Sequence, residues 1–310
     1  MPRGAVGLNQ LGRLRIQITS RSLDVRPEKE QDPRVRIRAR AMWIICAAIA
    51  VGVTACAEGP AGHDRFVTVA GGQVDVWCDG GRGPTLIFVS AIGGDDSMEP
   101  IAERLRDDAY VCLYDRPGDG ETEPPDRPRT AAGDAADLHE LLDVIDIPTP
   151  VVLVAHSYGG LISLIAAATH PDEIAGMVLV DASHPEQEDR TNALLTDEQR
   201  ATVAAEFANF PHVDFATSLR EAAEAFDSFP DIPLTVITAT RGHEPGCDLG
   251  LPCDEIQAVW LEVQADYAAL TPDARHVLAD TSHYVHDDDP DLVTREIEAL
   301  LDRITPVEDG

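Results

Sequence analysis

The sequence predicts an α/β fold in which a mostly parallel sheet of eight strands is flanked by helices. From Arg65 onward, short apolar runs alternate with longer stretches of helical pattern, as happens when helices cover a parallel sheet. The 310 residues, 44% of them hydrophobic, are enough to bury one large core and a small appended cap. The tight turn at Gly71-Gly72 predicts that the first two strands form an antiparallel hairpin before the crossover helices begin.

The positions of these runs define the predicted elements in chain order. The strands are Phe66–Ala70, Gln73–Cys78, Thr85–Val89, Tyr110–Tyr114, Val151–Ala155, Gly176–Val180, Leu234–Ala239 and His276–Ala279. The helices between and after them are Met98–Asp107, Thr130–Ile145, Tyr158–His170, Glu255–Leu270 and Leu292–Ile304.

The alternation breaks between about residues 185 and 230. This stretch is acidic, has a helical pattern and contains five phenylalanines: Phe207, Phe210, Phe215, Phe226 and Phe229. An insertion of this kind after the sixth strand predicts a small helical cap that lies over the functional site. We expect its aromatic side chains to form the cap's own core rather than to contact a substrate.

The N-terminal segment has the order of a signal peptide. Four arginines between positions 34 and 40 precede an apolar run from Ala41 to Ala55, which is too short to span a bilayer comfortably. The run ends at Cys56 and resembles the lipobox of bacterial lipoproteins, which implies a lipid anchor at Cys56; the alternative is an ordinary cleaved signal. Either reading predicts export, with residues 1–56 as an N-terminal arm and signal and residues 57–310 as the folded domain. Residues 1–33 have no assigned role.

The chain is strongly acidic, with a formal net charge of −31. Ten of the 24 basic residues but only four of the 55 acidic ones lie at or before Cys56, so the folded part is more acidic than the whole. This balance argues against nucleic acid as a partner and disfavours anionic substrates and anionic membrane surfaces. It is equally compatible with a solubility or high-salt adaptation, which we favour.

The segment Val151–Gly160 predicts a nucleophilic serine. A buried strand runs into a sharp turn with Ser157 at its apex, and a helix follows. Such a turn holds the serine in a strained conformation and needs small residues on both sides, here Ala155 and Gly159. Alanine stands where many nucleophile turns have glycine. We therefore interpret the segment as a nucleophile elbow.

Around this elbow the sequence resembles the α/β-hydrolase family over residues 65–305. The matching blocks fall in the family's order: Tyr114–Gly120, Gly159–Leu161, Val178–Pro185 and Thr281–His286. The resemblance implies the family's fold, an eight-stranded mostly parallel sheet with its second strand beside the fourth. That neighbourhood would bring Cys78 and Cys112 together.

Two disulfides are plausible in an exported protein. The resemblance implies Cys78–Cys112, and the short Gly- and Pro-containing loop suggests Cys247–Cys253. Zinc is a less favoured reading of the second pair, since no histidine pair lies nearby. We expect no metal and no organic cofactor.

His283 is the candidate general base for Ser157. A serine hydroxyl is a poor nucleophile until a base takes its proton, and His283 lies after the last strand, where the family has its base. His286 is the alternative. The segment Asp287–Pro290 resembles a helix start and leaves His286 nearer the rim. His156 adjoins the serine in sequence, and we expect it to be structural, since adjacent side chains in the elbow diverge.

The acid of the triad has two candidates. The family usually has it after the seventh strand, but Thr238–Pro245 contains no Asp there. Asp181, after the sixth strand, is a location that some members use, and Glu244 lies in the usual loop but displaced. We favour Asp181, although an aspartate at that point also commonly caps a helix or orders a loop.

Acyl transfer also needs donors for the oxyanion of the tetrahedral intermediate. The family supplies the N–H after the nucleophile and one from the loop after the third strand, which are Tyr158 and Ile92 here. The loop Ser90–Gly94 has the glycines that a close approach requires, although they also suit an ordinary turn.

These features predict a serine hydrolase that cleaves an ester-type bond of a small molecule through an acyl-enzyme. A carboxylesterase-like enzyme is favoured. An amidase, lactonase or aminopeptidase would use the same residues. The alternative from another class is a surface binding protein that kept the fold and lost catalysis.

Overall fold

The computed structural model of the protein describes residues 65–305, apart from 71, 82, 95, 208–209, 211 and 242–249. Eight strands lie within this part of the chain: β1 (Arg65–Val69), β2 (Gly72–Gly80), β3 (Thr85–Val89), β4 (Tyr110–Asp115), β5 (Val151–His156), β6 (Ile174–Val180), β7 (Leu234–Ala239) and β8 (Arg275–Ala279). They form one sheet in the order β1-β2-β4-β3-β5-β6-β7-β8.

The sheet confirms the predicted fold class. β1 pairs antiparallel with β2, and β2 pairs antiparallel with β4. The other neighbours are parallel. All eight predicted strands are present, with ends that differ by at most two residues. β3, β5 and β7 are buried along their whole length, as expected for strands covered on both faces.

The helices of the described residues form the outer layers. They are α1 (Glu99–Leu105), α2 (Ala131–Val144), α3 (Gly159–Thr169), α4 (Gln187–Asn192), α5 (Asp197–Phe207), α6 (Phe215–Phe226), α7 (Cys253–Ala268), α8 (Val285–Asp288) and α9 (Pro290–Ile304). Residues 96–98 and 171–173 form short 3-10 turns.

Alternate residues of β5 divide the core into two layers. Leu153 belongs to the layer that includes α2, α3 and α6, whereas Val152 and Val154 face the layer that includes α1 and α9. This division follows from the period of two in a strand, which sends successive side chains to opposite faces. β5 is therefore packed against buried side chains on both faces.

The segment predicted as a cap carries α4, α5 and α6 between β6 and β7. α6 is firmly attached to the helical layer of the sheet. Ser218 Oγ and Glu221 Oε2 accept hydrogen bonds of 2.9 and 3.0 Å from the N–H groups of Ala131 and Ala132. These bonds satisfy donors at the start of α2 that no helical carbonyl can reach.

The expected disulfide between Cys78 and Cys112 is confirmed. The two residues are direct partners in the β2–β4 register, and their Cα atoms lie 4.2 Å apart. Cys253 is also disulfide-bonded. Cys247 lies outside the described residues, as do Cys56 and the rest of the predicted signal. No helix within the described ranges is long and apolar enough to cross a membrane.

Candidate active site

Three strand ends bring the predicted triad to one edge of the sheet. Ser157 directly follows β5, Asp181 directly follows β6, and His283 lies in the loop after β8. The carboxyl ends of parallel strands meet at the same edge, which is where open α/β sheets bind their ligands. The site is thus a consequence of strand direction and order.

The turn at Ser157 has the strained geometry that the sequence predicts. Ser157 has a φ of 51°, a left-handed conformation that is uncommon for a residue with a side chain. Its carbonyl accepts hydrogen bonds of 2.9 and 2.8 Å from the N–H groups of Gly160 and Ser183. A Cβ on Gly159 would lie 2.1 Å from the Val89 carbonyl oxygen, so only glycine fits beside the end of β3.

Asp181 and His283 form a short hydrogen bond. The distance from Asp181 Oδ2 to His283 Nδ1 is 2.6 Å. The other carboxylate oxygen, Oδ1, accepts hydrogen bonds from Ala239 N at 2.9 Å and from Trp260 Nε1 at 2.7 Å. Asp181 is fully buried, while 22% of the His283 side chain is exposed. The carboxylate therefore fixes Nδ1 as the protonated nitrogen and leaves Nε2 as the basic one.

Trp260 has no counterpart among the sequence-predicted site residues. It lies in α7, 79 residues after the aspartate that it contacts, and its ring also packs edge-on against that of His283 at 6.1 Å. A tryptophan in a helical pattern carries no signal of such a partner. The other acid candidate, Glu244, lies outside the described residues.

The two remaining histidines near the site are structural neighbours of His283. His156 Nε2 lies 3.1 Å from the His283 carbonyl oxygen, as expected for a hydrogen-bonded structural histidine. The expectation that His286 lies near the rim is wrong, since His286 is only 2% exposed. The short helix α8 turns it inward, and its ring packs edge-on against His156 at 4.4 Å.

The two predicted oxyanion donors lie on opposite sides of the Ser157 turn in sequence. Tyr158 is the N-cap residue of α3, and Ile92 lies in the loop after β3, followed by Gly93 and Gly94 with φ of 87° and 76°. Within the described part of the chain, neither N–H group donates to a backbone carbonyl.

Arg116 holds the loop that carries Ile92. Its guanidinium donates to the Ser90 carbonyl at 3.1 Å, to Ser90 Oγ at 3.2 Å and to the Ala91 carbonyl. Arg116 is 2% exposed. In the sequence, the block Tyr114–Gly120 resembles only the family's turn after the fourth strand, and the signal that could have indicated this role is an arginine in a glycine-containing turn.

Arg116 belongs to a closed set of buried charges that we call the arginine cluster: Arg116, Asp119, Arg129 and Asp134. Asp119 accepts from Arg116 Nε at 2.8 Å and from Arg129 at 3.2 Å, and Arg129 pairs with Asp134 at 3.0 Å. Burial lowers the pKa of Arg116, but the Asp119 and Asp134 carboxylates outweigh it and raise that pKa above its usual value. The cluster is therefore permanently charged at Arg116.

The segment before α6 lies against the loop Ser90–Gly94, which we call the oxyanion loop after its predicted role. A Cβ on Gly93 would lie 3.4 Å from the Phe210 ring, and one on Gly118 would lie 3.4 Å from the His212 ring. Phe210 is 36% exposed. An apolar, partly exposed ring therefore stands beside the loop that carries Ile92.

Comparison with known proteins identifies the class that this fold and site define. The α/β hydrolase fold family matches residues 84–241, just over half of the chain. The protein belongs to this family. Eight strands in the observed order, a strained serine turn after β5 and helices on both faces agree with that membership.

The chain is also similar to individual proteins and structures. Protein YqjL of Bacillus subtilis (strain 168), described as uncharacterized, is 25% identical over 218 residues, which cover 69% of this chain and 82% of YqjL. Monoglyceride lipase of Rattus norvegicus is 34% identical over 116 residues, covering 34% of this chain and 37% of the lipase. The crystal structure of the enol-lactonase from Burkholderia xenovorans LB400 has a TM-score of 0.55 at 20% identity, over 77% of this chain and 100% of the lactonase; it supports the fold alone.

Proposed function

We propose that the protein is a serine hydrolase that cleaves an ester-type bond of a small molecule through an acyl-enzyme. Ser157 is the nucleophile, His283 the general base and Asp181 the acid behind it. The observation that carries the proposal is the 2.6 Å bond between buried Asp181 and partly exposed His283, at the sheet edge that also holds the strained turn of Ser157. This is the pairing that a serine–histidine–acid triad requires.

The proposed reaction has two half-reactions. Ser157 Oγ attacks the ester carbonyl carbon while His283 Nε2 takes the hydroxyl proton. The N–H groups of Tyr158 and Ile92 stabilise the resulting oxyanion. His283 then donates the proton to the alkoxide oxygen as the C–O bond breaks, and the alcohol leaves an acyl group on Ser157. Water, deprotonated by His283, attacks that acyl group, and the acid product leaves as Ser157 regains its proton.

The Asp181 carboxylate stabilises the imidazolium that forms on His283. Hydrogen bonds from Ala239 N and Trp260 Nε1 hold the carboxylate in one orientation.

Family membership supports hydrolase activity, and one relative favours the ester class. That relative is named monoglyceride lipase, and a monoglyceride contains an ester bond. The aligned part spans little more than a third of the lipase, so we propose the bond type and not the lipase's substrate. A carboxylesterase-like reaction is the leading form; lactonase, amidase and aminopeptidase activities share the same machinery.

We further propose that the protein is exported and anchored through a lipid on Cys56, or secreted. The buried Cys78–Cys112 disulfide supports an oxidising compartment. Incorporation of tritiated palmitate into the wild type but not into Cys56→Ala would support the anchor. Equal labelling of the variant would exclude it.

The test of the reaction is active-site labelling with a fluorophosphonate, together with turnover of a series of acyl esters from short to long. We expect the wild type to label and to turn over esters, and Ser157→Ala to lose both. Ser228→Ala, which removes an exposed hydroxyl at the end of α6, is the matched control and should behave as wild type. If the wild type neither labels nor hydrolyses any ester, the catalytic proposal fails and a binding protein becomes the better reading.

A further inference from the structure

A second cluster of chemically active side chains lies away from the proposed active site. His139 lies in α2, His170 directly follows α3, and Glu173 ends the 3-10 turn before β6. One ligand atom from each residue lies within 4.8 Å of the other two. Within the described ranges, this is the one group of three His, Cys, Asp or Glu side chains with such spacing.

The three side chains lie close together. The imidazole rings of His139 and His170 stack with centroids 3.9 Å apart and planes 11° from parallel. Glu173 Oε1 lies 3.0 Å from His139 Nδ1 and 4.0 Å from His170 Nδ1. Two imidazole nitrogens and one carboxylate are a donor set that proteins use for zinc and related transition metals, with water in the fourth position.

The backbone around the cluster is fixed, while the side chains can adjust. His170 N donates to the Ala166 carbonyl at 2.8 Å, and Glu173 N donates to the His170 carbonyl at 3.0 Å, so these two ligands share one rigid turn. Ligands on a tetrahedral Zn²⁺ with bonds of about 2.0–2.1 Å stand roughly 3.3 Å apart. The widest spacing, which is within 4.8 Å, therefore needs to close by about 1.5 Å. Side-chain rotation can supply this because the three side chains are 37%, 35% and 25% exposed.

We propose that His139, His170 and Glu173 form a binding site for a divalent transition-metal ion, with Zn²⁺ as the ion that best fits the donor set. A metal there would join α2 to the turn between α3 and β6. The site stands at the opposite end of α3 from Ser157, separated by the 11 residues of that helix, or about 16 Å. It is therefore independent of the proposed hydrolysis and acts on the stability of the folded chain, because an ion that binds only the native state stabilises that state.

The test is isothermal titration of metal-free protein with Zn²⁺ and, separately, with Mg²⁺. The acidic surface of this chain can bind Mg²⁺ through carboxylates, so the Mg²⁺ titration separates general cation binding from a histidine site. We expect one Zn²⁺ per chain and a rise in Tm on its addition. We expect Zn²⁺ binding to weaken by roughly tenfold or more in each of His139→Ala, His170→Ala and Glu173→Gln. Mutation of a group that only hydrogen-bonds to a metal ligand already lowers metal affinity by about that factor.

His276→Ala is the matched control, because it removes an exposed histidine of β8 that is not part of the cluster. It should bind Zn²⁺ with wild-type affinity. The Tm of each variant without metal reports whether it is folded. An unchanged Zn²⁺ isotherm in His139→Ala and His170→Ala, or no Zn²⁺ binding by the wild type at millimolar concentration, would overturn the proposal and leave the cluster as a stacked histidine pair with an ion-paired glutamate.

Discussion

Two buried polar regions beside the Ser157 turn differ in one decisive respect. In the pair of Asp181 and His283, the carboxylate is buried but its histidine partner remains 22% exposed. In the arginine cluster, every side chain is at most 7% exposed and each charge faces an opposite one. The first region reaches solvent, and the second is shielded from it.

The difference shows how similar hydrogen bonds can serve different purposes. Histidine changes its charge near neutral pH, so a carboxylate that holds it can support proton transfer. Arginine does not lose its proton in proteins, so the arginine cluster can only fix the local conformation. That conformation matters because Arg116 binds the carbonyls of Ser90 and Ala91 in the oxyanion loop. We therefore expect substitutions in the two regions to change different steps.

The largest effect is expected for Asp181→Asn. This substitution removes the carboxylate that pairs with His283 and leaves the volume of the side chain nearly unchanged. The asparagine oxygen can still accept from Ala239 and Trp260, and its NH₂ group then faces His283 Nδ1. The imidazole must adopt the other tautomer, with a proton on Nε2, and cannot accept the proton of Ser157. We expect kcat for an ester that the wild type hydrolyses to fall by about 10⁴-fold.

The control for this variant is Asp266→Asn, in the same helix as Trp260. Asp266 pairs with Arg190 at a partly exposed position, so kcat should stay at the wild-type value. Thermal unfolding of both variants checks that they are folded. Asp181→Asn with kcat within tenfold of wild type would exclude Asp181 as the acid and direct attention to Glu244.

A smaller effect is expected for Arg116→Lys, which keeps the charge of the arginine cluster but removes the guanidinium fork. Lysine can still face Asp119, but it cannot reach Ser90 and Ala91 at the same time. The loop should become more mobile, and the N–H group of Ile92 should no longer be positioned to donate to the oxyanion. We expect kcat to fall by about 10²-fold, the cost of one oxyanion donor, with KM little changed.

Arg129→Lys is the matched control, because it makes the same substitution in the same cluster. Arg129 bonds to Asp119 and Asp134. Among the described residues, none of its side-chain hydrogen bonds reaches the oxyanion loop. Urea unfolding should show a stability loss in both variants, and only Arg116→Lys should lose kcat. Equal kcat in the two variants would show that Arg116 acts on stability alone.

The smallest effect concerns His184, a buried histidine that belongs to neither region. Its Nδ1 accepts a hydrogen bond from Glu186 N at 3.1 Å, and burial lowers its pKa to about 4. Between pH 4 and about 6.5, the unfolded chain therefore binds more protons at this residue than the folded chain does. The free energy of unfolding should fall as pH drops through that window.

His184→Asn keeps a hydrogen-bond acceptor and removes the titration. We expect the acid-induced loss of stability between pH 8 and 4.5 to be about 2–3 kcal/mol smaller in the variant than in the wild type. Urea unfolding at pH 8, 6 and 4.5 measures this, and the pH 8 data give the pH-independent cost of the substitution. Parallel pH profiles for the two proteins would contradict the prediction.

The sequence by itself determined the parts of this protein that depend on local pattern. The eight strands, the strand–turn–helix unit around Ser157 and the helical segment between β6 and β7 follow from hydrophobic periodicity and from the conformations that glycine allows. The order of blocks also pointed to the family, and with it to Cys78 and Cys112 as neighbours. Each of these features is encoded in residues close to one another in the chain, or in a known order of such units.

Only the tertiary structure decided which distant side chains meet. Asp181 and Glu244 were both compatible with the sequence, and the structure bonds Asp181 to His283, 102 residues away. It also turned His286 inward and brought Trp260 to Asp181 and Arg116 to the oxyanion loop. Such contacts depend on the packing of α7, α8 and the loops across the sheet edge, and a buried charge or ring acquires its partner only when that packing excludes water.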